Sequence, residues 1–97
     1  MDEIIYLNEL FDIYGKLLSD TQKKYFRDYY FDNLSYGEIA EKYNVSRNAI
    51  FKQLKNGTDK LNKLEKTIGL YNRNKELKEI IEEIEDKNIK NKLINLL

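Results

Sequence analysis

Residues 35–55, SYGEIAEKYNVSRNAIFKQLK, constrain the fold of this chain more than any other stretch. Ser35 stands three positions before Glu38, the spacing of a capping box that opens a helix. The helix it opens runs from Tyr36 to Tyr43. Asn44 ends it, because asparagine enters the left-handed region more readily than most residues. Ser46 is placed to cap the next helix. A helix-turn-helix needs a small residue in its first helix, a corner residue that accepts positive φ, and an aliphatic clamp in its second. Ala40, Asn44 and Ile50 meet those needs in order, and Ile39, Val45 and Leu54 are expected to complete a small apolar cluster.

The rest of the chain reads as helix around that pair. Ile4, Ile5, Leu7, Leu10, Phe11, Tyr14, Leu17 and Leu18 recur at helical spacing, which predicts a first helix over about residues 3–17. Ser19 and Gln22 form a second capping box, and the helix they open should break near Asp32-Asn33. The fourth helix meets no stop before Gly69, although Gly57-Thr58 weaken its middle. After a polar break at Tyr71–Asn74, a fifth helix is expected near 75–85 and a sixth near 88–96. Their apolar positions ask for a packing surface. The prediction is an all-α fold forming a single helical domain over residues 1–97, with a long fourth helix and two C-terminal helices within about 73–97.

Composition narrows the chemistry. The chain has no cysteine and no histidine, which removes thiol nucleophiles, imidazole acid–base work and the usual metal ligands. No Gly-rich phosphate loop is present. Glu79, Glu82, Glu83, Glu85 and Asp86 are interleaved with Ile80, Ile81 and Ile84, so they read as the wet face of a helix. The expectation is a protein without enzymatic activity, metal or cofactor. No apolar run approaches the roughly 18 residues of a membrane span, and MDEIIYLNEL lacks the basic start of a signal peptide. A cytoplasmic location follows as an expectation.

Formal charge is zero overall but unevenly spread. Residues 1–34 are net −3, residues 43–66 net +4, and residues 73–97 balance. The basic middle coincides with the fourth helix. With Ile50, Leu54, Leu61, Leu64 and Ile68 docked, steps of about 100° per residue put Asn48, Lys52, Lys55, Lys63 and Lys66 on the outward stripe. Ser46 and Arg47 occupy the first turn, where backbone N–H groups favour phosphate. Asn48 can pair with adenine, Lys52 can reach guanine or phosphate, and Phe51 can touch a thymine methyl. The candidate DNA-binding set is therefore Ser46, Arg47, Asn48, Phe51, Lys52 and Lys55. Each has a plainer reading: lysines opposite an apolar face are usually just solvated, Phe51 can pack on a neighbour, and Arg47 can pair with an acid of the second or third helix. Asp59 falls within the stripe and would repel phosphate. Tyr25, Tyr29, Tyr30 and Tyr36, with Phe26 and Phe31, are dense enough to suggest stacking on single-stranded RNA, but core packing is the preferred reading.

These elements together resemble the YlxM family, small bacterial helix-turn-helix proteins encoded beside genes of the signal recognition particle pathway. The resemblance rests on Leu17-Leu18, the helix start at Thr21–Lys24, Tyr29-Tyr30, Ser35–Glu41 and Val45–Ile50, and continues through Lys60–Tyr71. The Ser35–Glu41 and Val45–Ile50 halves are also similar to region four of sigma factors, which binds promoter DNA. The resemblance implies a sigma region 4-like helix-turn-helix at about 35–55. It further implies a regulatory or accessory role in co-translational protein targeting, with homodimerisation among the arrangements it allows. Two classes of partner follow: DNA, or the signal recognition particle protein or its RNA.

Overall fold

A computed structural model of the chain describes residues 2–97. Its helices are α1 (Asp2–Tyr14), α2 (Asp20–Phe26), α3 (Tyr36–Tyr43), α4 (Arg47–Ile68), α5 (Leu70–Ile81) and α6 (Lys87–Ile94), with no strand among the described residues. The all-α prediction holds.

The first helix ends earlier than the apolar spacing suggested. α1 stops at Tyr14 and the chain tightens into a 3-10 turn over Gly15–Leu17. Gly15 is the reason: it lies against the Phe11 ring, where a β-carbon would fall 3.2 Å from the ring edge. Leu7, Leu10, Phe11 and Tyr14 turn inward, whereas Ile4, Ile5 and Leu17 remain exposed. Ser19 caps α2 through the expected reciprocal bonds with Gln22. α2 then widens into one π-helical turn, Arg27–Phe31, closed by Asp32 N–H on the Arg27 carbonyl at 2.9 Å. Asn33, at φ 58°, supplies the predicted break.

α4 is the beam of the structure. Its 22 residues span about 33 Å at 1.5 Å per residue. One end, through Ile50 and Leu54, packs with Tyr25, Ile39 and Ala40. The other, through Leu61, packs with Leu7, Leu10, Phe11, Tyr14, Leu18 and Phe26. The far end of α4 therefore rests on α1, with Leu70 and Tyr71 alongside, rather than on α5 and α6 as a whole. Gly57 does not weaken the helix as expected. It is buried where α2 crosses, with the Gln22 side chain 3.7 Å from where a β-carbon would stand. Two positions expected inside are not: Ile68 and Val45 are exposed.

The C-terminal helices are displaced from their predicted bounds. Gly69 ends α4 at φ 74°, as expected, but α5 begins at once, so Tyr71–Asn74 are helical and not a break. Glu65 explains this. Its carboxylate reaches past Gly69 to accept the Tyr71 N–H at 2.9 Å and the Asn72 N–H at 3.2 Å, and takes the Tyr14 hydroxyl at 2.7 Å. Those free N–H groups are what any helix start must satisfy. α5 ends at Ile81 instead of about 85, and α6 covers Lys87–Ile94 behind an Asp86 cap.

Burial pushes the Glu65 carboxyl up, but the bonds from Tyr14 and the two N–H groups outweigh it and hold the group below its usual range. A depressed folded pKa contributes stability that is complete above the unfolded value and lost as pH falls through the folded one. Glu65→Gln should therefore cost about 1–2 kcal/mol at neutral pH. The gap from wild type should close below about pH 4, as the wild-type carboxylate protonates. Paired urea melts from pH 7 to pH 3 measure it. A gap that stayed constant with pH would mean the charge of Glu65 does no capping.

Candidate nucleic-acid interface

The corner between α3 and α4 has the geometry the sequence asks of it. Ser35 Oγ accepts the Glu38 N–H at 3.1 Å, and Glu38 returns a bond to the Ser35 N–H at 3.0 Å. The Ser35 N–H, then its hydroxyl, hold the Glu38 carboxyl below its usual range, so the first turn of α3 keeps a negative charge. At the far end Asn44 sits at φ 55°, ψ 49°. Its N–H bonds the Glu41 carbonyl at 3.3 Å while the Val45 N–H bonds the Ala40 carbonyl at 3.0 Å. That pair of bonds is a Schellman motif with asparagine in the glycine place. Ala40 and Ile50 are buried against each other's cluster, so the small residue and the clamp take their expected parts.

Ser46 caps α4 by accepting the Ala49 N–H at 3.0 Å. From there the candidate residues divide. Asn48 and Lys52 stand exposed on the outward face, and Lys52 joins no ion pair among the described residues. Lys55 is exposed but leans on Asp59, Nζ to Oδ2 3.2 Å, so the acid in the stripe engages this lysine directly. An exposed pair of this kind is worth well under about 1 kcal/mol and opens readily. Phe51 is 46% exposed and meets the Tyr36 ring edge-on at 6.0 Å, so one face packs and the other is open. Burial, with the Tyr29 hydrogen bond behind it, pushes the Tyr36 hydroxyl up and keeps it protonated. Lys63 and Lys66 continue the exposed stripe toward the end of α4.

Arg47 takes a position the sequence did not reveal. Among the described residues it forms no ion pair; its guanidinium lies over Gly37 instead. A β-carbon at Gly37 would fall 3.0–3.1 Å from the guanidinium atoms, so the glycine makes room for the arginine. Its place in the first turn of α3 was the only available signal. A second contact also escaped notice. Asp28, buried in the π-helical turn, accepts Lys42 Nζ at 2.9 Å and the Tyr43 hydroxyl at 2.7 Å, tying the end of α3 to the α2 segment. The Asp28 hydrogen bond, then burial, pushes the Tyr43 hydroxyl up.

The aromatic residues pack largely as core. Tyr25 and Phe26 are buried, Tyr29, Tyr30 and Tyr36 are partly buried, and Phe31 is exposed on one side with its edge against Phe11 and Phe26. No helix of the described residues is long and apolar enough to cross a membrane.

Comparison with known proteins agrees with this architecture. The family model described as "UPF0122: Putative helix-turn-helix protein, YlxM / p13 like" matches residues 1–97. A UPF0122 protein of Caldanaerobacter subterraneus subsp. tengcongensis is 35% identical over 85 residues, covering 88% of this chain and 73% of the relative. UPF0122 proteins of Listeria welshimeri and Bacillus pumilus are each 39% identical. The first spans 79 residues, 81% of this chain and 72% of its own. The second spans 80 residues, 82% of this chain and 73% of its own. By whole-chain match and by relatives at this identity, the chain belongs to the UPF0122, YlxM / p13-like family of helix-turn-helix proteins.

Proposed function

We propose that this protein is a non-enzymatic, cytoplasmic DNA-binding regulator that reads the major groove with the first two turns of α4 and serves the signal recognition particle pathway. The observation that carries the reading is the placement of Asn48 and Lys52. Both are exposed on a helix whose other face is locked into the core by Ile50 and Leu54. A rigid helix with free hydrogen-bonding side chains is what base readout requires. Arg47, Ser46 and Phe51 flank the pair, and Lys55 joins when its bond to Asp59 opens. In this reading the protein acts as a homodimer, so that two copies of α4 meet two half-sites.

The Lys55–Asp59 pair and the zero formal charge favour one other partner. A protein with little net field is also suited to dock on the signal recognition particle protein or its RNA, with Lys63 and Lys66 in the contact.

A salt titration of binding separates the two. Fragments from the protein's own operon and random DNA are run beside the purified particle protein and its RNA. DNA recognition should be salt-steep and prefer the operon fragment. Asn48→Ala with Lys52→Ala should then weaken specific binding by about 10- to 100-fold and flatten the salt slope by about one unit, with the melt unchanged. Binding to the particle alone, indifferent to those two substitutions, would replace the DNA reading with the docking one.

A further inference from the structure

Gly37 stands where a helix has no need of glycine. It is the second residue of α3 and half-buried, and positive φ among the described residues is confined to Asn33, Asn44 and Gly69. Alanine in that backbone would favour the helix. What a side chain would meet there is Arg47. A β-carbon would fall 3.0 Å from Arg47 Nη2 and 3.1 Å from both Cζ and Nε. Had the guanidinium turned its edge to the glycine, the two nitrogens would stand clearly closer than the carbon between them. The near-equal distances lay its plane across the glycine instead.

That seating leaves the donors unspent. The N–H groups of a guanidinium lie in its plane, so a face set on Gly37 leaves them pointing past α3. Arg47 has no ion pair and donates no side-chain hydrogen bond among the described residues. Glu38, the acid next to Gly37 in sequence, is held on the Ser35 N–H at 3.0 Å.

Direction separates Arg47 from the base readers. Asn48 and Lys52 are four apart and share one outward stripe. Arg47 lies a step of about 100° from Asn48, and its head rests back on α3. In a docked helix-turn-helix the second helix lies in the groove while the first crosses the sugar-phosphate backbone. A planar cation fixed on the first turn of α3 therefore meets phosphate rather than base edges. A guanidinium fork held in one plane also matches two phosphate oxygens at once.

We infer that Gly37 is a positioning residue, which seats the Arg47 guanidinium flat on α3 so that its N–H edge clamps one phosphodiester of a nucleic-acid backbone. The inference rests on the nucleic-acid reading above and divides its labour: Arg47 fixes the register on the backbone, and Asn48 with Lys52 reads the bases.

Salt titrations with the operon fragment, random DNA and the particle RNA test it, using Gly37→Ala, Arg47→Ala and the two combined. Gly37→Ala should weaken binding to both DNAs by the same factor, about 3- to 10-fold, and flatten the salt slope by about one unit. The preference for the operon fragment should stay as in wild type, unlike that of the Asn48 and Lys52 variants. The melting temperature should hold or rise by up to about 5 °C, because alanine is the better helix former. Weaker binding by a protein that is no less stable is what a purely structural glycine would not give. Arg47→Ala should show the same losses, and the double variant should add nothing to them, since both changes remove one contact. Arg47→Lys keeps the charge without the plane and should lose most of the contact; it decides the matter where Gly37→Ala does not fold. Wild-type binding by Gly37→Ala or by Arg47→Lys overturns the inference and leaves the DNA reading standing. Losses confined to the operon fragment, or fully additive in the double variant, overturn it too. A protein that binds the RNA alone, with these same losses, would sink the DNA reading and keep the phosphate seat. One that binds neither nucleic acid would sink both.

Discussion

Phe26→Ala is expected to lower the unfolding free energy by about 3–5 kcal/mol, because the site has no way to collapse around the loss. Phe26 is only 1% exposed and meets three other rings. It stacks on Phe11 at 4.3 Å with the planes 4° apart, tilts against Tyr30 at 4.5 Å and receives the Phe31 edge at 5.9 Å. The first two partners are themselves fixed from behind, Phe11 by Gly15 and Tyr30 by the second cluster. Beyond area, each aromatic pair adds roughly 0.5–1.5 kcal/mol. For a domain of about this size, whose total stability is roughly 5–15 kcal/mol, the variant should melt more than about 12 °C below wild type. Calorimetry with urea melts at 25 °C checks it. A loss under about 1.5 kcal/mol would mean that the π-helical turn relaxes to refill the space, and that the ring stack is not the joint between α1 and α2.

What the sequence made legible were the features set by local rules. Capping boxes at Ser19 and Ser35, the asparagine corner at Asn44 and the glycine stop at Gly69 all depend on a few neighbouring residues, and each appears where the residues place it. The family resemblance was legible for the same reason, since its motifs are these local signals. What stayed hidden depends on residues far apart. The tight join of α4 to α5 needs Glu65 and Tyr14, which are 51 positions apart, so the polar Tyr71–Asn74 looked like a break. The early end of α1 depends on the Phe11 ring over Gly15, and apolar spacing alone ran on through Leu17. Periodicity also cannot tell a core face from an open one. Ile80 and Ile89 repeat as regularly as Leu7 and Leu10, yet the first pair is exposed and the second buried. Of the candidate interface, the outward placement of Asn48 and Lys52 came from helical geometry. The seat of Arg47 on Gly37 and the Lys55–Asp59 bond are side-chain choices that spacing leaves open.

Asp28→Ala should cost about 2–4 kcal/mol and should weaken whatever α3 and α4 bind, although Asp28 lies on neither helix. Its side chain is 6% exposed and takes two charged or polar donors, whereas that of Lys42 is 50% exposed. The asymmetry sets the order of effects. Removing Lys42 leaves the carboxylate bonded to Tyr43 and lets water replace the ammonium, so Lys42→Ala should cost under about 1 kcal/mol. Tyr43→Phe removes a bond that water reaches poorly and should cost about 1–2 kcal/mol. Asp28→Ala removes both bonds and leaves the Tyr43 hydroxyl without an acceptor. Asp28→Asn, which keeps the shape and one acceptor, should fall between. A double-mutant cycle of Asp28→Ala with Tyr43→Phe should return a coupling of about 1 kcal/mol or more, since each change removes the same bond. If Lys42→Ala proved as costly as Asp28→Ala, the contact would be an ion pair first and a clamp second. The link to function is mechanical. Asp28 ties the last turn of α3 to the π-helical turn, and the Asn44 corner passes that orientation directly to the first turn of α4. Loosening the clamp should therefore reduce binding at temperatures where the helices are still fully formed, a loss that the Asn44 corner alone cannot prevent.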